Sequence, residues 1–147
     1  MHKFLAFILI LGVTSSAFSQ DQWPQFRGPN GAGHYAGAIA VNWNEEDGVI
    51  WKTSIHDRGW SSPVVWNDQV WLTTATRDGH KLYAVCLDKQ TGKVIHDIHV
   101  FDVEDPQRIA VDNSYATPTA AVQQGRVFVH FGTYGTACLD TKSGNVI

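Results

Sequence analysis

The sequence has little of what marks a nucleic-acid-binding protein or a hydrolase. Lys and Arg make up only 11 of the 147 residues and form no basic patch, which argues against a nucleic acid partner. No Ser stands in a Gly-x-Ser-x-Gly turn, so a nucleophile elbow is excluded. No stretch has the periodicity of a long amphipathic helix, whereas six Trp and many β-branched residues favour strands. We therefore expect an all-β protein.

Cysteine is also scarce. The two cysteines, Cys86 and Cys138, have no His at the spacing of a zinc site. They occupy the same position in two successive repeats, which are described below. Equivalent strands of neighbouring units lie beyond the reach of a disulfide, which ends at about 7 Å between Cα atoms. We predict two buried free thiols that act as small hydrophobic side chains.

The first 19 residues have the three parts of a secretory signal peptide. Lys3 gives a positive start, and Phe4–Val13 is a ten-residue apolar core. Ala17 and Ser19 are small residues at the positions that a signal peptidase recognises. The apolar core is too short to span a bilayer as a stable helix, and no Cys follows it to carry a lipid anchor. We expect residues 1–19 to be removed and the mature protein to be periplasmic or secreted, with no transmembrane segment.

One ten-residue sequence occurs twice in the chain. CLDKQTGKVI spans Cys86–Ile95, and CLDTKSGNVI spans Cys138–Ile147, 52 positions later, with six of the ten residues identical. The segments upstream are also similar, since Trp60-Ser-Ser-Pro-Val-Val matches Tyr115-Ala-Thr-Pro-Thr-Ala. An internal period of this length indicates repeated supersecondary units.

The centre of each copy has the composition of a tight turn. The turn residues are Asp88, Thr91 and Gly92 in the first copy and Asp140, Ser143 and Gly144 in the second. Asp and Thr or Ser side chains bond to nearby backbone groups, and Gly adopts the positive φ that such a turn requires. A short loop that contains Gly joins two antiparallel strands. We therefore interpret these residues as turn formers rather than as catalytic residues or metal ligands.

Apolar runs between turns predict eight strands. They are Val49–Ile55, Ser61–Trp66, Gln69–Thr76, Lys81–Leu87, Lys93–Phe101, Tyr115–Val122, Arg126–Gly132 and Thr136–Leu139. In the third of these, Val70 and Leu72 alternate with Trp71 and Thr73, so the two pairs should point to opposite faces of a sheet.

Antiparallel strands that follow one another in sequence form meanders, and four-stranded meanders repeated at about fifty residues are the blades of a β-propeller. Residues 20–48, rich in Pro and Gly, predict an extended lead-in. Residues 49–147 predict a partial propeller, with one blade at about 60–101 and a second, truncated blade at about 115–147. A propeller closes with about four to eight blades, so we expect an N-terminal fragment of a longer protein. The alternative is a ring assembled from several two-blade chains.

One aromatic residue opens the first strand of each predicted blade. It is Trp60 in the first blade and Tyr115 in the second. First strands line the central channel of a propeller, so both side chains are candidates to face a ligand at the channel mouth. The alternative is that they pack between blades.

Several motifs resemble one known family. Ala84 followed by Asp88-x-x-Thr91-Gly92 resembles the repeat of pyrroloquinoline-quinone-like (PQQ-like) β-propeller proteins. The opening Gln22-Trp-Pro-Gln-Phe-Arg-Gly-Pro-Asn-Gly and Gly59-Trp-Ser-Ser-Pro-Val-Val are similar to exported members of that family. The resemblance covers Trp23 to Ile147. The family repeat has a Trp four residues after the repeat Gly, where it docks between blades, but this chain has His96 there. We therefore expect Trp71 or Trp66 to dock instead.

The resemblance implies two functions. The first is a non-catalytic scaffold of the cell envelope that binds protein or carbohydrate and is a monomer at full length. The second is an oxidoreductase with PQQ and calcium as cofactors, whose ligands would lie in further blades, because the adjacent Cys-Cys pair and the calcium ligands of family dehydrogenases have no match here. Asp102, Glu104 and Asp105 lack the alternating pattern of a calcium loop, so we assign them to a solvated connector.

Overall fold

The computed structural model describes residues 22–147 and shows an all-β chain of two antiparallel sheets. The predicted signal peptide lies outside the described residues. The first sheet consists of β1 (Val64–Trp66), β2 (Gln69–Ala75), β3 (Lys81–Asp88) and β4 (Val94–Asp102). The second consists of β5 (Ala121–Gln123), β6 (Arg126–His130) and β7 (Thr136–Asp140), with a single 3-10 turn at Gly132–Tyr134. No α-helix occurs in the described part of the chain, and none of its segments forms a helix that could cross a membrane.

Both sheets are meanders with the same internal register. Strand order follows sequence order in each sheet, because tight turns join neighbouring strands. The first cross-strand row consists of Val64, Trp71, Cys86 and His96. The second cross-strand row consists of Ala121, Phe128 and Cys138. Phe128 is therefore the structural equivalent of Trp71, and Cys138 that of Cys86.

The two predicted repeat turns are confirmed, and both are closed by the same pair of side-chain hydrogen bonds. The Asp88 carboxylate accepts bonds from the backbone N–H of Thr91 at 2.7 Å and from its hydroxyl at 2.8 Å. The Asp140 carboxylate accepts the same two bonds from Ser143 at 2.7 and 2.9 Å. These bonds, led by the Thr91 hydroxyl at Asp88 and by the Ser143 N–H at Asp140, hold the pKa of both carboxyls below the ordinary value. Both Asp side chains thus act within the turns.

The core lies between the two sheets. Trp71, Leu82, Ala84 and Cys86 on one face of the first sheet form a single buried cluster with side chains of the second sheet. Those partners include Val122, Val127, Val129 and Leu139. The opposite face of the first sheet carries a smaller cluster of Val70, Val85 and Leu87 with Leu72 packed against it. Trp71 thus lies on one face of β2, and Val70 and Leu72 lie on the other. The predicted alternation is confirmed.

One predicted strand, Val49–Ile55, is wrong. The segment is extended but forms no ladder with a neighbouring strand. It is instead held through side chains, since the Trp51 indole donates to Lys89 O at 2.9 Å and the Thr53 hydroxyl to Gly92 O at 2.6 Å. Trp51 and Ile55 cover the second face of the first sheet. Side-chain anchoring explains why an alternating pattern appears without a strand.

The first strand of each unit is shorter than predicted. Strand β1 begins at Val64 rather than Ser61, because Pro63 has no N–H to give to a ladder. The N–H groups of Trp60 and Ser61 instead donate to Ala116 O, at 2.9 and 3.1 Å. The openings of the two units are therefore bonded to each other, while the Ser61 hydroxyl also accepts a bond from Thr73 N–H on β2 at 3.0 Å.

Part of the lead-in closes the outer edge of β1. Trp23 exchanges two backbone hydrogen bonds with Val65, at 2.8 and 2.9 Å. The next residue, Pro24, accepts a bond from Val122 N–H at 2.8 Å. An exposed strand edge invites pairing with other chains, and this segment covers that edge where the two sheets adjoin.

Both cysteines are free, as predicted. Cys86 is buried, and burial followed by the charge of Asp88 raises the pKa of its thiol to about 12. Cys138 is only partly buried, so the prediction of two buried thiols is wrong for this residue. The reason is that Cys138 belongs to the second cross-strand row, which no third sheet covers here.

Candidate functional site

The two aromatic residues proposed to face a ligand are neighbours. Trp60 N–H donates to the carbonyl of Ala116, the residue next to Tyr115. The Trp60 side chain is 54% exposed, and its indole N–H donates to Asp112 O at 2.9 Å. Trp60 is thus held in position while more than half of its surface stays accessible to a ligand.

Tyr115 is in a different situation. Its ring packs on the core cluster and lies 6.1 Å from the ring of Tyr134. Its hydroxyl donates to Gln107 O at 2.8 Å. A Cβ atom on Gly79 would lie 2.6 Å from this ring, so only glycine leaves room for it. Tyr115 therefore packs between the two units, which was the alternative given for it.

A cavity of about 260 Å³ lies beside Tyr115. Three arginines line it, Arg58, Arg77 and Arg108, together with the connector at 109–113. Arg58 also lies over the Trp60 ring, 5.4 Å from its centroid. The sequence analysis missed this site because the arginines are far apart in the chain and no local pattern connects them. Backbone hydrogen bonds with Ala75 place Arg58 beside the turn that carries Arg77, and the connector between the sheets adds Arg108.

Two carboxylates clamp the imidazole of His56. Its Nδ1 lies 2.7 Å from Asp57 and its Nε2 lies 2.9 Å from Asp97 on β4. Tyr83 stacks edge-on at 4.9 Å, with His99 beyond it at 5.2 Å from Tyr83. Partial burial is the largest single influence and lowers the pKa of His56, but the bonds and charges of the two carboxylates together raise it above 6.5. Protonated His56 thus ties the segment before β1 to β4.

We expect this clamp to make stability depend on pH. A raised pKa means that the contribution is complete below the unfolded value of about 6.5 and is lost as pH rises through the folded pKa. Because the side chain is 38% exposed, the effect should not exceed about 1 kcal/mol. The measurement is the free energy of unfolding of the wild type and of His56→Gln between pH 6 and 8. Their difference should shrink with rising pH, and a difference that stays constant across this range would mean that the two carboxylates do not hold the imidazole.

The side chains of the connector cluster do not converge. Asp102 pairs with Lys81 at 3.0 Å and with His99 at 3.2 Å, and the Lys81 bond leads the effects that lower its pKa. Within residues 22–147, no group of three or more His, Cys, Asp or Glu side chains is placed to hold a metal ion.

His96 contributes to the contact between the units, contrary to the expectation that other residues replace it. Its ring stacks on Trp71 with centroids 5.7 Å apart, and Trp71 is fully buried as expected for a docking residue. A Cβ on Gly144 in the second repeat turn would lie 3.0 Å from His96 Nδ1. Trp66, the other candidate, is partly buried against the same cluster. Trp71, as expected, and also His96 therefore lie at the contact between the two sheets.

Comparison with known proteins adds nothing to these contacts. No protein-family model matches this chain, and no curated protein is significantly similar to it.

Proposed function

We propose that residues 49–147 are two blades of an exported PQQ-like β-propeller, a non-catalytic scaffold that binds protein or carbohydrate in the periplasm or outside the cell. The longer protein that would complete the ring is part of this proposal. One observation carries it: the same contact between consecutive units occurs twice in the chain, as the rotational repetition of a propeller requires.

The repeated contact involves each repeat glycine. A Cβ on Gly92 would meet the Trp51 ring at 2.5 Å and the Thr53 hydroxyl at 2.8 Å. A Cβ on Gly144 would meet His96 at 3.0 Å and Ile98 at 3.2 Å. In both cases an aromatic ring and the side chain two residues later cover the turn of the following unit. The segment around Trp51 thus relates to the first sheet as β4 relates to the second.

This equivalence gives the extended segment Val49–Ile55 a role. Val49-Ile50-Trp51 has the same position as Val94-Ile95-His96 at the start of β4. In a closed ring, the extended segment would be the outermost strand of the last blade and would fasten the ring. Its lack of a strand partner among the described residues agrees with this role.

The second cross-strand row supports a further blade. Trp71 is fully buried because the second sheet covers it, whereas its equivalent Phe128 is 39% exposed. Because Phe128 is the equivalent of a fully buried residue, its exposure supports a neighbouring sheet beyond the second. A third blade stacked as the second stacks on the first would cover Ala121, Phe128 and Cys138.

The experiment is to replace Phe128 with Asp in the protein exported by its own host. If further blades cover the row, the variant should lose about 3–5 kcal/mol of stability, since it removes a buried ring and adds a buried charge. The measurement is the free energy of unfolding. Lys142→Asp is the matched control, because it places the same carboxylate on an exposed turn residue whose equivalent in the first unit, Gln90, is also exposed, and it should change stability by less than about 1 kcal/mol.

Equal stability of the wild type and the Phe128→Asp variant would overturn the propeller. If the variant fails to accumulate, alkylation of Cys138 in the wild type gives the same information, because a third blade would protect this thiol. Cys86, which is buried, serves as the unreactive reference.

Incubation with PQQ and calcium separates the two functions. A bound chromophore after dialysis would favour the oxidoreductase over the scaffold.

A further inference from the structure

The arginine cavity brings together three elements of the fold. Arg58 belongs to the segment before β1, Arg77 to the turn between β2 and β3, and Arg108 to the connector between the sheets. The cavity has a volume of about 260 Å³, enough for a small acidic group and the water around it. No strand or turn requires three like charges at this place.

The three guanidinium groups have no acidic partner. In the described part of the chain, no Asp or Glu side chain forms an ion pair with any of them. Arg58 donates one bond, to Val111 O at 3.1 Å, while Arg77 and Arg108 donate none from their side chains within residues 22–147. Like charges that share a cavity repel each other. Arg77 and Arg108 are exposed, so water solvates their N–H groups, and an anion at this position would replace that water and relieve the repulsion.

We propose that this cavity binds the carboxylate or sulfate group of a ligand. The planar fork of a guanidinium donates two parallel hydrogen bonds to such an oxyanion, which makes arginine the preferred side chain for this purpose. The chain as a whole has a formal charge of −3, so this is a local positive site on an acidic protein. General attraction of polyanions by net charge is therefore excluded as its cause.

Trp60 identifies the ligand class as an acidic saccharide. Trp60 does not itself line the cavity, but its exposed indole lies under Arg58, which does. The C–H face of a pyranose ring packs on an indole, while a carboxylate or sulfate on the same sugar reaches the guanidinium groups. The choice of a saccharide depends on the proposed carbohydrate-binding function, whereas the anion site itself does not.

The test is titration of the 147-residue chain with trigalacturonate by calorimetry at low salt. Trigalacturonate should bind, maltotriose, which has no acidic group, should not, and inorganic sulfate should bind more weakly. Arg77→Gln and Arg108→Gln should each weaken trigalacturonate binding by about tenfold or more, because each removes a charge-assisted hydrogen bond. Arg77→Lys keeps the charge without the fork and should recover part of the affinity.

Two further variants locate the effect. Arg126→Gln removes the same charge on β6, away from the cavity, and should leave the affinity within about twofold. Trp60→Ala should weaken the binding of trigalacturonate but not that of sulfate. Circular dichroism of each variant checks that the fold is intact. We expect it to be, because neither Arg77 nor Arg108 donates a side-chain hydrogen bond within residues 22–147.

Equal losses in Arg126→Gln and Arg77→Gln, or no binding of trigalacturonate, would overturn the site. Sulfate that binds as tightly as trigalacturonate would overturn the saccharide and leave a site for a simple anion. The Phe128→Asp result is independent of these outcomes. A failure of the propeller and a failure of the anion site can therefore be told apart.

Discussion

Replacing Trp71 with Ala is expected to lower the free energy of unfolding by about 3–5 kcal/mol, the usual cost of removing a large buried aromatic side chain. Trp71 is fully buried in the cluster between the two sheets. Its indole N–H donates to Gln69 at 3.1 Å, and the Gln69 amide donates to Thr141 O in the second repeat turn at 2.7 Å. The substitution therefore opens a cavity and loosens the link between the units.

Chemical denaturation of the 147-residue chain gives the measurement. Trp43→Ala is the matched control, because it deletes the same side chain where it is 66% exposed, and it should cost less than about 1 kcal/mol. Equal costs for the two variants would mean that the sheets do not pack through Trp71. The position of the core between the sheets would then be wrong.

Replacing Gly92 with Ala is also expected to lower the free energy of unfolding, for two separate reasons. Gly92 has a φ of +69°, which costs other residues about 1–2 kcal/mol. The added Cβ would also lie 2.5 Å from the Trp51 ring, which is held by its bond to Lys89 O. Overpacking of this kind costs a further ~1–3 kcal/mol. The variant should thus strain the turn and also push the extended segment Val49–Ile55 away from the first sheet.

Gly125 is the matched control for this experiment. It also occupies a hairpin turn with positive φ, +82°, but a Cβ there would meet no atom within 4 Å. Gly125→Ala should therefore show the conformational cost alone. The difference in unfolding free energy between the two variants measures the Trp51 contact. A difference of zero would remove the repeated contact on which the propeller proposal depends.

The strands and turns of this protein could be predicted because they depend on neighbours in sequence. Asp88 and Thr91 form their turn through bonds that reach only three residues along the chain. The alternation of Val70 and Trp71 follows from the period of an extended backbone. The same reasoning failed for Val49–Ile55, because an alternating segment can be covered through its side chains without joining a ladder.

The contacts between units were decided by the tertiary structure. The ion pair of His56 with Asp97 joins residues 41 positions apart, and the cavity collects Arg58, Arg77 and Arg108 from three elements. Such meetings depend on how segments that are distant in the chain pack on one another, which no local pattern encodes. The same stacking buries Trp71 and leaves Phe128 exposed, although the repeat places them in equivalent positions. Local sequence thus determined the units, and packing between them determined the candidate site.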